Sequence, residues 1–154
     1  MSRKIIVFSI FIATFLIDSL SKLFILNISP NMDNFNLDLG IISVTRIYNT
    51  GAAFGILKGW TSFLIIFSLL ILIVLSLYVY KKHKELNILQ ASGLGMIMGG
   101  TAGNFFDRAT FGYVIDFIKL NFIDFPVFNL ADLFINIGVI LILISLFSRK
   151  RDNH

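Results

Sequence analysis

Trp60 to Tyr80 is a run of 21 residues with no charged side chain and with aromatic rings at its ends. A helix needs about 20 mainly apolar residues to cross a bilayer, and aromatic rings anchor such helices at the interface. Three further apolar runs of helical length accompany it, at about 5–26, 88–106 and 128–147. Only 14% of the chain is charged and 56% is hydrophobic, whereas soluble domains are about a quarter charged. The sequence therefore predicts an all-α integral membrane protein, one domain over 1–154, with four transmembrane helices.

The first run follows Arg3 and Lys4. A basic start before an apolar run also fits a cleaved secretory signal. Here no small-residue cleavage site follows and the run continues past Asp18 and Lys22, so it reads as a retained helix. Asp18 and Lys22 are four apart, share a face and can pair. Arg3, Lys4, Lys81, Lys82, Lys84, Arg149, Lys150 and Arg151 fall on one side of the four spans. The positive-inside rule then puts both termini in the cytoplasm. The net charge of +4 reads as a topology signal and not as a nucleic-acid footprint.

Between the first two helices, Asn34 to Leu39 alternates polar and apolar, and Ile41 to Tyr48 is rich in β-branched and aromatic residues. This predicts a small β element at the outer interface. Asn49-Thr50-Gly51 follows, and is turn chemistry by itself. Residues 113–120 are mostly apolar and read as a second outer segment hugging the membrane surface, with Asp116 inside it.

The third helix carries Gly95, Gly99 and Gly103 every four residues, which lets another backbone approach closely. Packing does not require the Asn104, Asp107 and Arg108 that follow. Asp107 and Arg108 can pair or bond free backbone groups at a helix end. Asn129 and Asp132 open the last helix, where an acid can simply complement the helix dipole. With the orientation above, Asp18, Asn49, Asn104, Asp107, Arg108, Asp116, Asn129 and Asp132 all gather on the extracytoplasmic face. Ionisable groups at membrane depth are expensive and by default mark a working site.

The available chemistry is narrow. There are no cysteines, and His83 and His154 both sit among polar or basic residues outside the apolar runs. This argues against a thiol nucleophile, a His base and a Cys- or His-ligated metal, and no cofactor is expected. Two carboxylates in one site cannot both ionise easily, so one keeps its proton. The charged one can then activate water while the protonated one polarises a peptide carbonyl, the logic of an aspartic protease dyad. Intramembrane acids also build proton or cation pathways, and a non-catalytic scaffold is a third possibility.

Five patches, taken together and in order, resemble the bacterial lipoprotein signal peptidases (signal peptidase II). They are Asp18-x-x-x-Lys22, Asn49-x-Gly51-Ala52-Ala53-Phe54, Gly99-Gly100-x-x-Gly103-Asn104-x-x-Asp107-Arg108, Val114-x-Asp116-Phe117 and Phe128-Asn129-x-Ala131-Asp132. Ser19 and Leu133 stand where the family often has Gln and a small residue. The resemblance implies that Asp116 and Asp132 are the catalytic pair. It implies that Asp18, Asn49, Gly51, Asn104, Arg108 and Asn129 shape the site or touch substrate and inhibitor, with Asp107 and Lys22 structural. It further implies a monomeric peptidase of the bacterial cytoplasmic membrane, among membrane lipids, active at the outer face. Its substrates would be diacylglyceryl-modified prolipoproteins, cut just before the lipidated cysteine. Globomycin-type cyclic peptides would inhibit it.

Overall fold

The computed structural model describes residues 2–28, 36–52 and 56–151, with side chains as far as residue 148. Asn34, Phe35 and the Ala53-Phe54-Gly55 part of the turn motif lie outside the described residues. The elements run α1 (Arg3–Ile28), β1 (Asn36–Asp38), β2 (Ile42–Asn49), α2 (Thr61–Lys82), α3 (Ile88–Phe111), β3 (Val114–Leu120) and α4 (Leu130–Arg151).

Among the described residues, three spans are long and apolar enough to cross a membrane: Arg3–Ile28, Thr61–Lys82 and Leu130–Ser148. At 1.5 Å per residue, the 22 residues of α2 reach about 33 Å, the thickness of a hydrocarbon core. Only Leu64 and Val79 of α2 are buried, so most of its surface is left for lipid. The expected third span, α3, is as long as the others but less apolar. Half of its 24 residues are buried, and they are mostly glycine, alanine and polar groups. A helix surrounded by other helices needs small residues for close approach more than it needs hydropathy.

α3 is the central element, touching α1, α2 and α4. Its expected stripe does meet another backbone. A Cβ on Gly95 would sit 2.8 Å from Val7 O, and one on Gly99 would sit 2.7 Å from Phe11 O and collide with Thr14 Oγ1. Gly103 instead makes room for the side-chain carboxyl of Asp18. The order Ile10, Thr14, Asp18 against Gly95, Gly99, Gly103 makes α1 and α3 parallel. A second face was not foreseen. Gly93 meets Gly138 and Gly100 meets Ala131, so α4 runs antiparallel to α3.

The end bearing Arg3 and Lys82 is closed by apolar packing of Ile6, Val7, Val79, Leu86, Ala91 and Leu94. There Asn87 caps α3 in a reciprocal capping box with Gln90. At the other end α3 runs to Phe111, further than expected, because Asn104, Asp107 and Arg108 find buried partners without leaving the helix. Gly112, with φ 80°, supplies the left-handed C-cap.

The β element has three strands in the order β1-β2-β3, all antiparallel. The segment 113–120, expected to hug the membrane surface, thus joins the sheet as β3. Its residues Val114 to Phe117 are buried on both faces, so no polar alternation marks them. The register pairs Ile47 with Asp116 and Asn49 with Val114. Asn49 and Asp116 therefore lie diagonally on one face of the sheet, within reach of each other. β3 then delivers the chain through Phe128, which bonds back to Ile118, into α4.

Candidate active site

Asn129 stands immediately before α4 and is completely buried. Its Oδ1 accepts from Asp132 N at 3.0 Å, while Asp132 Oδ2 accepts from Asn129 N at 3.3 Å. This is a capping box with aspartate in the return position. Because Oδ1 is committed to the helix, Nδ2 must point the other way. It donates to Asp116 Oδ1 at 2.7 Å and to Asn104 Oδ1 at 3.1 Å. The helix-dipole reading of Asp132 is thus correct as far as it goes. The same cap also ties Asp132 to Asp116.

Asn49 works similarly. Its Oδ1 accepts from Gly51 N at 2.9 Å, which is the expected turn, and its Nδ2 donates to Asp116 Oδ2 at 2.8 Å. Both oxygens of Asp116 are therefore held by amides from opposite sides. Asp116 is 2% exposed, and its carboxyl is pushed up from 3.8 to about 7. Burial is the largest cause and the charge of Asp132 the next. The bonds from Asn49 and Asn129 and the charge of Lys22 pull the other way. Asp132 is half-buried, and its Oδ1 accepts from Asn104 Nδ2 at 2.8 Å.

A cavity of about 810 Å³ opens over this pair. Asn49, Asn104, Arg108, Asp116 and Asp132 line its polar part, and Phe128 and Ile135 belong to its apolar wall. The volume lies in the range of sites that enclose a small ligand or a short peptide segment. The apolar wall was not foreseen. Its residues come from the loop after β3 and from α4, and in the sequence they look like any other membrane-facing residue. Lys58 and Asp124 also reach the cavity.

Behind the cavity lies a charge cluster. Lys22 Nζ contacts Asp18 Oδ2 at 2.7 Å and Asp107 Oδ2 at 2.9 Å, so the expected i,i+4 pair has a third member on α3. Asp18 Oδ1 also accepts from Ala131 N at 2.9 Å, capping α4 from across the bundle. Asp107 and Arg108 do not share a partner. Asp107 Oδ2 accepts from Ile115 N at 3.3 Å, while Arg108 Nη2 donates to Gly51 O at 2.7 Å. Breaking a buried ion pair on one side costs about 3–5 kcal/mol, because it strands the other charge. All ten residues singled out in the sequence thus meet at one end of the bundle: Asn49, Asn104, Arg108, Asp116 and Asp132 line the cavity, Asn129 and Gly51 bond to them from beneath, and Asp18, Lys22 and Asp107 form the charge cluster.

Apolar membrane-length helices, with an amide-held pair of carboxyls under a cavity at one end of the bundle, point to a membrane enzyme. The comparisons with known proteins agree with that class. A family profile described as signal peptidase (SPase) II matches residues 10–148. The chain is 37% identical over 150 residues to a lipoprotein signal peptidase of Streptococcus pyogenes serotype M1, covering 97% of each. It is 44% identical over 118 residues to one from Microcystis aeruginosa, covering 77% of this chain and 76% of the relative. A bacterial membrane enzyme solved by the in meso method at 2.3 Å superposes with a TM-score of 0.83 at 31% identity, covering 96% of this chain and 91% of that one. The chain belongs to the signal peptidase II family, and it is a membrane-bound lipoprotein signal peptidase by that membership.

Proposed function

We propose that this peptidase is of the aspartic class, with Asp116 and Asp132 as its catalytic pair. The observation that carries the reading is the treatment of Asp116. Its carboxyl is buried, gripped at both oxygens by Asn129 and Asn49, and coupled to Asp132 in the same cavity. A carboxyl raised to about 7 is still protonated in a large share of molecules at neutral pH, leaving its neighbour to take a proton from water. In this scheme Asp132, the more exposed member, draws the proton from a water molecule. The water oxygen then bonds to the scissile carbonyl carbon, and Asp116 donates a hydrogen bond to the carbonyl oxygen. When the C–N bond breaks, the pair returns a proton to the leaving amine. The products are a new carboxylate on one fragment and a free amino group on the other. The amide donors of Asn49, Asn104 and Asn129 hold both carboxyls in place, so little reorganisation is needed at the moment of reaction.

In the same reading α3 crosses the bilayer with its neighbours, since it lies parallel to α1 and antiparallel to α4. Both termini are cytoplasmic, and the cavity opens at the extracytoplasmic face of the bacterial cytoplasmic membrane. The substrate is a prolipoprotein already carrying a diacylglyceryl-cysteine, whose acyl chains stay in the outer leaflet while the peptide bond rests over the pair. Globomycin-type peptides would compete for the same cavity. The apolar seal at the basic end argues against an ion or proton conduit, because no polar track leads from Asp18 and Lys22 to that end among the described residues. The test is direct. Purified protein is incubated with a diacylglyceryl-modified precursor and with its unmodified twin. Release of signal peptide from the first only supports the reading. Equal cleavage of both, or of neither, contradicts it.

A further inference from the structure

Lys22 is 2% exposed, and no step above uses it. Its ammonium has three close partners: it pairs with the carboxylates of Asp18 and Asp107, and it donates a hydrogen bond to Asn104 Oδ1 at 3.1 Å. Two of these three partners lead on to the pair. Asn104 receives Lys22 and Asn129 on its oxygen, which turns its Nδ2 onto Asp132 Oδ1. Asp107 accepts from Ile115 N, the residue next to Asp116 on β3. We propose that Lys22 is the common positioning residue of the pair. It orients Asp132 through Asn104, and it fixes Asp116 through Asp107 and the backbone of Ile115. α1 thereby sets the spacing of two carboxyls carried on β3 and α4, elements to which it contributes no reacting atom.

The proposal rests on the aspartic reading, and it differs from a plain staple between α1 and α3. A staple would affect only how much enzyme folds. A positioning residue changes what each folded molecule does. The charged groups facing Asp116 are Asp132 from α4, Lys22 from α1 and Arg108 from α3, with Asn49 and Asn129 as neutral donors. The charge of Lys22 lowers the carboxyl of Asp116. Its removal therefore moves the Asp116-dependent limb of the pH–rate profile to higher pH.

The experiment compares Lys22→Met and Asp107→Asn with wild type, with rates expressed per folded molecule, counted by circular dichroism and monodispersity in detergent. Asp107→Asn is isosteric and leaves Lys22 paired with Asp18, so it reads the same chain of contacts where Lys22→Met folds poorly. The expected result is a fall in kcat of about tenfold or more in both variants, with KM changed less than about twofold, and a pH profile displaced upward in Lys22→Met. Wild-type kcat per folded molecule in either variant overturns the proposal, even if the yield of folded protein collapses. Asp116→Asn is run alongside. Activity retained in that control refutes the aspartic reading itself, whereas an inactive control beside fully active Lys22→Met refutes only the role given to Lys22.

Discussion

Replacing Asp116 by asparagine should destroy activity and, at neutral or higher pH, make the protein more stable. A carboxyl raised from 3.8 to about 7 on folding binds its proton more tightly in the native state. Its contribution to stability is full below the unfolded value of 3.8. It is lost progressively as pH rises through about 7, and the difference amounts to about 4 kcal/mol. Asparagine has no charge to desolvate. It does bring a new conflict, since its own amide must face one of the two donors now on the carboxyl, Asn49 Nδ2 or Asn129 Nδ2. One donor left unsatisfied costs about 1–3 kcal/mol. The variant should therefore be less stable than wild type near pH 4 and more stable near pH 8, by about 1–3 kcal/mol each way. Melting temperatures of the two proteins in the same detergent, measured across that pH range, test this. A melting difference of one sign that does not change with pH would refute the claim that Asp116 is held against its preference for water.

Asn129→Ala should lower stability by about 1 kcal/mol through loss of the α4 cap. It should also move the Asp116-dependent limb of the pH–rate profile upward, because the bond from Asn129 holds that carboxyl down; a profile that stays put would contradict this. Gly95→Ala would put a methyl 2.8 Å from Val7 O and Ile10 Cβ, so α1 and α3 must separate, at about 1–3 kcal/mol of stability. A thermal melt within a degree of wild type would show that the contact is slack. Neutralising Lys81, Lys82 and Lys84 together should reduce the fraction inserted with cytoplasmic termini, measured by reporter fusions, while correctly inserted protein keeps its turnover.

The helices were legible because a bilayer imposes one simple demand on a crossing segment. The polar residues were legible because nothing in that demand explains Asn104, Asp116 or Asp132. Other features stayed hidden for physical reasons. β3 carries Val114, Ile115 and Phe117 around Asp116 and is covered on both faces, so its strand character leaves no alternation. The polar end of α3 looked like a helix terminus at Phe106. The helix continues to Phe111 because Lys22, Ile115 N and Gly51 O satisfy its side chains from outside. Lys22 was read beside Asp18 alone, since spacing reports neighbours on one helix and is blind to Asp107 on another. Asn129 and Asn49 each serve a local backbone turn with one atom and Asp116 with the other. The sequence displays the first duty and conceals the second.

In the proposed reaction Asp116 and Asp132 act as one catalytic unit. The measurement that bears on it most directly is single-turnover release of signal peptide from a diacylglyceryl-modified precursor by Asp116→Asn, Asp132→Asn and the double variant, each verified as folded. Either single change should abolish cleavage, and the double variant should be no worse than either alone. Substantial cleavage by one single variant, or losses that multiply in the double, would contradict this.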